Sequence, residues 1–330
     1  MPEGLRPVKL IIQIPCFNEA KTLPITLAAL PRTIAGIDRI EICVIDDGST
    51  DDTLAVAKQA GVDHLVRFPK NRGLAKAFMA GIDKSLAAGA DIIVNTDADN
   101  QYRADDIPLL LAPILDGTAD FVVGERPISE IEHFSPLKKT LQKLGSWVVR
   151  VASKTDIPDA PSGFRAISRE AAKRLHVFNE YTYTLETIIQ AGQKGFAVAS
   201  VPVRTNHDLR ASRLVKSIRS YVFRSTTTII RVFMTYKPFR FFAIPGLACF
   251  SAGFLIGLRF LYFYMIGEGD GHIQSVILSG ILMTTGFLMS VVGLVADLIS
   301  VNRKLLEKID WRVKNIEEQI RNSSSDPPQT

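Results

Sequence analysis

From Lys9 to Arg126, short apolar runs alternate with stretches of helical period. Leu10 to Pro15, Glu41 to Ile45, His64 to Arg67, Asp91 to Val94 and Phe121 to Gly124 each read as a strand. Their near-continuous apolar character marks strands buried on both faces. Helical patterns fill the gaps, from Ala20 to about Leu30, up to Gln59, and from Leu74 to Ala88. Gly48 permits a tight turn, and Ser49 with Asp52 resembles a capping box for the helix ending at Gln59. Strands alternating with helices of about 10–15 residues predict a Rossmann-like, mainly parallel α/β sheet.

The pattern changes twice further on. Pro127 to Val203 is less regular. Within it, Pro136 to Lys154 is a basic amphipathic helix, lying on a membrane surface or packing one face on the core. Asp159-Ala160-Pro161-Ser162-Gly163-Phe164-Arg165 reads as a turn entering a strand. Arg204 to Arg240 is rich in arginine with interleaved apolar residues, and leads directly into Phe241 to Ile266, roughly 26 apolar residues. At about 1.5 Å per residue this exceeds the ~30 Å hydrocarbon core. After the polar turn Gly267 to His272, Ile273 to Val301 is a second such segment, and a polar tail follows. Basic outer flanks around an acidic turn fit the positive-inside rule. The expected organisation is a cytoplasmic catalytic domain over 1–203, basic juxtamembrane helices over 204–240, two transmembrane helices over 241–301 and a cytoplasmic tail over 302–330. Both termini are then cytoplasmic. Arg259 is expected to snorkel, and Asp297 to pair with Arg240 or Arg303.

Composition adds little to this. The net charge is +5, and the three cysteines, Cys16, Cys43 and Cys249, have no metal-ligand spacing, which fits a reducing compartment and structural roles. Met1 to Lys9 holds no apolar core of a signal peptide. The basic run alone would also fit nucleic acid, but its continuation into an apolar segment favours a membrane.

The polar residues at the strand ends carry the chemistry. Asn18 and Glu19 follow the first strand, Asp46 and Asp47 the second, and Asp97 and Asp99 the fourth. In open α/β sheets ligands bind at that edge. Three acidic loops converging there would repel unless a cation or a hydroxyl-rich ligand lay between them. Asp97 and Asp99 suit a hard cation, Mg²⁺ or Mn²⁺, which also holds substrate phosphates. Neither a Gly-x-Gly-x-x-Gly turn nor a Gly-x-x-x-x-Gly-Lys-Ser/Thr loop is present, which removes support for a dinucleotide site or a P-loop. A metal site beside an arginine-rich, membrane-facing surface suits sugar transfer from a nucleotide diphosphate to a lipid phosphate.

Pro15-Cys16-Phe17-Asn18-Glu19, Asp46-Asp47-Gly48-Ser49-Thr50-Asp51, Asn71-Arg72-Gly73, Asp97-Ala98-Asp99-Asn100-Gln101, Gly124-Glu125-Arg126 and Ser162-Gly163-Phe164-Arg165 occur in this order. Together they resemble the inverting family 2 glycosyltransferases of GT-A fold. Within that family the chain is similar to the dolichyl-phosphate mannose synthases and bacterial polyisoprenyl-phosphate glycosyltransferases. The resemblance implies that Pro15, Asn18, Glu19, Asp46, Asp47 and Arg72 hold the nucleotide sugar. Asp97 would touch the nucleotide or the metal, and Asp99 and Gln101 would bind the metal. Arg126, Lys139, Ser162 and Arg165 would hold the acceptor phosphate, and Arg210, Ser212 and Arg213 would close over the diphosphate. Asp97, Asp99, Arg126 and Arg165 would be catalytic. Arg213 stands where lysine is usual, and Cys16-Phe17 where tyrosine is common.

A phosphate monoester acceptor has a second pKa near ~6 and is ionised without a general base. Direct inverting displacement at the anomeric carbon is therefore expected. The implied partners are a nucleotide-diphosphate sugar, a polyprenyl phosphate and the membrane, without nucleic acid; a homo-oligomer is left open. Two alternatives stand beside this reading: a processive polysaccharide synthase, whose Gln-x-x-Arg-Trp motif neither Trp147 nor Trp311 supplies, and a non-catalytic membrane-tethered nucleotide-sugar-binding protein.

Overall fold

A computed structural model of the protein describes residues 7–127, 149–150, 153–177, 183–206, 227, 230–231, 234, 236–268 and 272–325. The chain forms two compact units, Met1–Ser225 and Thr226–Thr330.

The first unit is built on a seven-stranded sheet ordered β3-β2-β1-β4-β6-β5-β7. The strands are β1 (Lys9–Cys16), β2 (Arg39–Asp46), β3 (His64–Arg67), β4 (Ile92–Asn95), β5 (Phe121–Glu125), β6 (Arg165–Ser168) and β7 (Val198–Pro202). The helices are α1 (Leu23–Ala29), α2 (Thr53–Gln59), α3 (Leu74–Ala87), α4 (Ile107–Leu115), α5 (Arg169–Arg174) and α6 (Thr184–Gln193). β1 pairs in parallel with β2 and β4, β2 with β3, and β5 with β7. β6 runs antiparallel between β4 and β5. The sheet is thus mixed and mostly parallel. The carboxyl ends of six strands and the amino end of β6 share one edge, so every loop of the candidate site emerges there.

β1 shows why the central runs are apolar throughout. Leu10, Ile12 and Ile14 pack with Leu23 and Leu27 of α1 and Ile107, Leu110 and Leu111 of α4. Ile11 and Gln13 lie on the other face, where Gln13 Nε2 donates to Phe78 O of α3 at 3.5 Å and to Asn95 Oδ1 of β4 at 2.9 Å. Each fully buried Leu or Ile contributes about 1.5–3 kcal/mol.

Two local expectations change. The first helix begins at Leu23, because Glu19 O receives Thr22 N and Leu23 N only after the chain has turned past Asn18. Ser49 does not cap α2: Asp52 stands at its N-cap without a side-chain bond, and Ser49 Oγ instead accepts from Asn18 N at 2.9 Å. That bond ties the loop after β1 to the loop after β2.

The second unit holds two long helices, α7 (Pro238–Met265) and α8 (Ile273–Ser325). Both are apolar and long enough to cross a membrane. They pack antiparallel through small residues. A Cβ built on Gly246 would meet Gly286 O at 2.9 Å, and one on Gly253 would meet Met283 N at 2.9 Å. Ser279 Oγ donates to Gly253 O at 2.7 Å. Arg303 does not turn to Asp297: it lies over the Tyr236 ring at 4.5 Å and pairs with Glu307 at 3.5 Å.

Candidate active site

The acidic loop leaves β4 through Asn95-Thr96-Asp97. Asn95 is fully buried, and its amide donates to Gly163 O at 2.8 Å and to Tyr183 Oη at 2.9 Å. Tyr102 Oη accepts from Gly163 N at 3.0 Å. The loop from Asp159 to Phe164 is therefore bound to the acidic loop at both ends. Gly163 sits against Asp97, since a Cβ there would lie 3.1 Å from both carboxylate oxygens. Only a residue without a side chain lets the backbone approach that closely.

Asn100 has φ 57° and Asn18 has φ 56°. Asparagine tolerates this left-handed region better than other side-chain-bearing residues. At Asn100 the turn lets Asp99 Oδ1 accept from Gln101 N at 3.2 Å. From the far side, Asn206 holds the same loop. Its N donates to Gln101 O at 2.8 Å and its Nδ2 to Asn100 O at 2.9 Å. Beside it Arg204 N donates to Asp106 Oδ2 at 2.6 Å, and the Arg204 guanidinium grips the same carboxylate. Residues 204–206 thus dock on the first unit, past the end of β7.

Arg126 extends from the end of β5. Asp159, fully buried, accepts from Arg126 Nε at 2.7 Å and from Nη2 at 3.0 Å, and also from the Arg126 backbone N at 3.2 Å. This fork-to-carboxylate pairing fixes the guanidinium plane. Asp159 was legible only as part of a turn, because its partner lies 33 residues away.

The Asp97 carboxyl is pushed up to about 7, first by burial and next by the charge of Asp99, against the opposing pull of Arg126 and Arg165. Asp97 thus senses both the second carboxylate and the arginine. The loops that carry Asp99 and Arg126 leave the same sheet edge, after β4 and β5.

Not every predicted residue is exposed to a ligand. Arg165 is fully buried. Its Nε donates to Ser162 O at 2.8 Å, its Nη2 to Ala160 O at 2.9 Å, and its Nη1 to Thr187 Oγ1. Its guanidinium lies 5.7 Å from the Phe121 ring and 5.5 Å from Tyr183. Burial draws its pKa down to about 10, which leaves it charged at neutral pH. The expected contact of Arg165 with an acceptor phosphate does not fit this placement, because its donors are spent on two backbone carbonyls and the Thr187 hydroxyl. Ser162 is likewise fully buried. Lys139, Arg210, Ser212 and Arg213 lie outside the described residues.

The nucleotide-side residues gather at the ends of β1 and β2. Pro15 is buried beside Ile45. Asn18 Oδ1 accepts from Thr50 N at 2.8 Å, and Glu19 N donates to Thr53 Oγ1 at 2.8 Å. Asp47 accepts from Arg72 N at 2.7 Å and Gly73 N at 2.9 Å, so it anchors the loop before α3. Burial raises the Asp47 pKa, and these two amides oppose that shift. Gly48, at φ 70°, lies where a Cβ would come 2.3 Å from the Lys70 carbonyl carbon. The Arg72 guanidinium sits over the Phe68 ring at 4.9 Å. Asp46 Oδ1 accepts from Ser49 N at 2.9 Å. Its buried Oδ2 has no hydrogen-bond donor among the described residues, with Arg67 Nε 3.7 Å away. Cys16 and Cys43 are buried thiols with raised pKa values, Cys43 to about 12 through burial.

Among the described residues no three His, Cys, Asp or Glu side chains form a self-sufficient metal cage. Mg²⁺ bound through one or two carboxylates and substrate phosphates needs none. Asp97, held toward its neutral form by burial and then by the charge of Asp99, offers with Asp99 the oxygen donors that such a cation takes.

The model of the family described as "Glycosyl transferase family 2" matches residues 11–175. The polyprenol monophosphomannose synthase of Mycolicibacterium smegmatis is 27% identical over 68% of this chain and 88% of its own. The UDP-N-acetylglucosamine–dolichyl-phosphate N-acetylglucosaminyltransferase of Methanococcus voltae is 28% identical over 58% of this chain and 83% of its own. The crystal structure of glucosyl-3-phosphoglycerate synthase from Mycobacterium tuberculosis in complex with Mn²⁺ and UDP-glucose superposes with TM-score 0.54 at 21% identity, covering 68% of this chain and 78% of that one. It shares the fold.

Proposed function

Because the chain belongs to glycosyl transferase family 2, we propose that it transfers a hexose-type sugar from a nucleotide diphosphate to a polyprenyl phosphate at the cytoplasmic membrane face. The observation that carries this is the placement, at one edge of the sheet, of Asp97 and Asp99 on the loop after β4 and of Arg126, oriented by buried Asp159, at the end of β5. The apolar helices α7 and α8 support a lipid acceptor, as do relatives named for polyprenol and dolichyl phosphate.

In this reading Asp97 and Asp99, with Gln101, hold Mg²⁺ or Mn²⁺ together with the donor diphosphate. When bound, that cation neutralises the charge that develops on the leaving diphosphate. Asp46 Oδ2, a buried acceptor without a donor, and Asn18, Glu19 and Arg72 receive the nucleoside, while Asp47 keeps the loop before α3 in place. Arg126 meets the acceptor phosphate. Arg165, bonded to Ala160 O and Ser162 O, supports the loop from Asp159 to Phe164.

The acceptor oxygen is ionised at neutral pH, so no side chain must remove a proton from it. The obstacle is charge: two anions ~4 Å apart repel by about 4 kcal/mol at an effective dielectric of 20. A fixed guanidinium offsets that without reorganising during the reaction. The acceptor oxygen then displaces the diphosphate at the anomeric carbon with inversion.

The test is a panel of radiolabelled nucleotide sugars incubated with polyprenyl phosphate, the full chain and Mg²⁺ or Mn²⁺. The expected result is label extractable into organic solvent for one or a few sugars. Label appearing only in long polysaccharide would favour processive synthesis instead. No transfer with any sugar would overturn the proposal.

A further inference from the structure

α8 is 53 residues long, roughly 80 Å at 1.5 Å per residue. Crossing a ~30 Å hydrocarbon core takes about 20 of them. Eight charged side chains lie between Arg303 and Glu317, so this part of the helix is outside the hydrocarbon. It nevertheless carries an apolar stripe. Leu306, Ile309, Val313, Ile316 and Ile320 are each 45–67% exposed. Their spacing of three, four, three and four residues is a seven-residue repeat, with Leu306, Val313 and Ile320 at a and Ile309 and Ile316 at d.

The opposite face is already used. Arg303 pairs with Glu307 and lies over Tyr236, and Trp311 is half-buried. No proline or glycine interrupts α8 after Gly293, and the helix continues without a break from the apolar segment. If α8 spans a membrane, its unbroken continuation projects from the bilayer as a rod.

We propose that residues 303–320 pair with the same segment of further copies of this chain as a parallel coiled coil. Two independent observations select that occupant. If α7 and α8 span the membrane, as the proposed function requires, every copy enters the bilayer in the same sense, so the extensions run parallel. In a parallel register, position g of one helix faces position e of the next heptad on its neighbour. Here g is Arg312 and e is Glu317, which are opposite charges five residues apart. Isoleucine at both d positions favours three or four strands over two.

The experiment uses the full chain in membrane vesicles, in a Cys249→Ala background with Cys16 and Cys43 buried. Single variants Ile309→Cys and Ile316→Cys are oxidised and compared with Lys308→Cys and Lys314→Cys on outer positions. In-register parallel packing predicts covalent dimers at Ile309→Cys and Ile316→Cys, at least about tenfold more than at the lysine positions. In detergent, Arg312→Glu should weaken self-association about threefold to tenfold, and Arg312→Glu with Glu317→Arg should restore it. Equal cross-linking at all four positions, a monomeric mass for the wild type, or failure of the double reversal to restore association would each overturn the proposal. None of these readouts depends on sugar transfer, so they are separable from the test of activity.

Discussion

Asp97 is the residue on which the site turns. Burial first, and then Asp99, work against the charge on its carboxyl. Removing that charge should therefore help the metal-free fold while harming function. Asp97→Asn is expected to raise metal-free stability by about 0.5–2 kcal/mol and to lower kcat by roughly 10² to 10³. Thermal unfolding in chelator and a transfer assay check the two halves. A variant that is both less stable and fully active would contradict this picture. Asp159 acts through Arg126. Asp159→Asn keeps the shape but loses the charge that fixes both guanidinium nitrogens. The expected outcome is a kcat about 10- to 100-fold lower with KM for the nucleotide sugar changed less than about threefold. Asp159→Glu should recover part of the loss, and a KM effect larger than the kcat effect would argue against a positioning role.

At the scale of elements, the legible strands are the largely apolar runs of β1, β2, β4 and β5, which are mostly buried, together with the short β3. β6 was entered only as a strand start after a turn. It is four residues long and begins with a buried arginine, and no local pattern announces that its charge is satisfied by Ala160, Ser162 and Thr187. β7, α5 and α6 fell in the stretch read as irregular. β7 is only partly buried, so its Val-Ala-Ser-Val lacks strong alternation. The acidic loop and its partners on β1 and β2 were legible because each follows an apolar run directly. Asp159 with Arg126, and Asp106 with Arg204, were not, since pairings 33 and 98 residues apart leave no trace in local spacing. The far edge of the sheet gives a pH prediction. Glu41 is buried, which alone would raise its pKa, but Lys9 at 2.7 Å, His64 at 2.8 Å and Arg39 at 2.6 Å outweigh that and hold it below its ordinary value of 4.5. A carboxylate lowered in the folded state stabilises at higher pH and loses that contribution as pH falls below its unfolded value. Glu41→Gln should cost about 1–3 kcal/mol at pH 7, and the gap to wild type should shrink as pH falls below about 4.5. Urea unfolding at pH 7 and pH 3.5 reads this, and a gap that widened in acid would contradict it.

For the molecule as a whole, the chain joins a family 2 glycosyltransferase unit to a pair of long apolar helices. Two helices long and apolar enough to cross a membrane favour a product that stays with lipid over one that leaves into water. Solubility of the product is therefore the property that separates the readings. The most direct measurement is the transfer of sugar from a labelled nucleotide diphosphate into the organic phase with polyprenyl phosphate, run in parallel on wild type, Asp99→Ala and Arg126→Ala, with circular dichroism on each. The account predicts lipid-extractable label for wild type and at least a roughly 10²-fold loss for either variant, at unchanged helix and sheet content. Near-normal transfer by a folded Asp99→Ala or Arg126→Ala would contradict it.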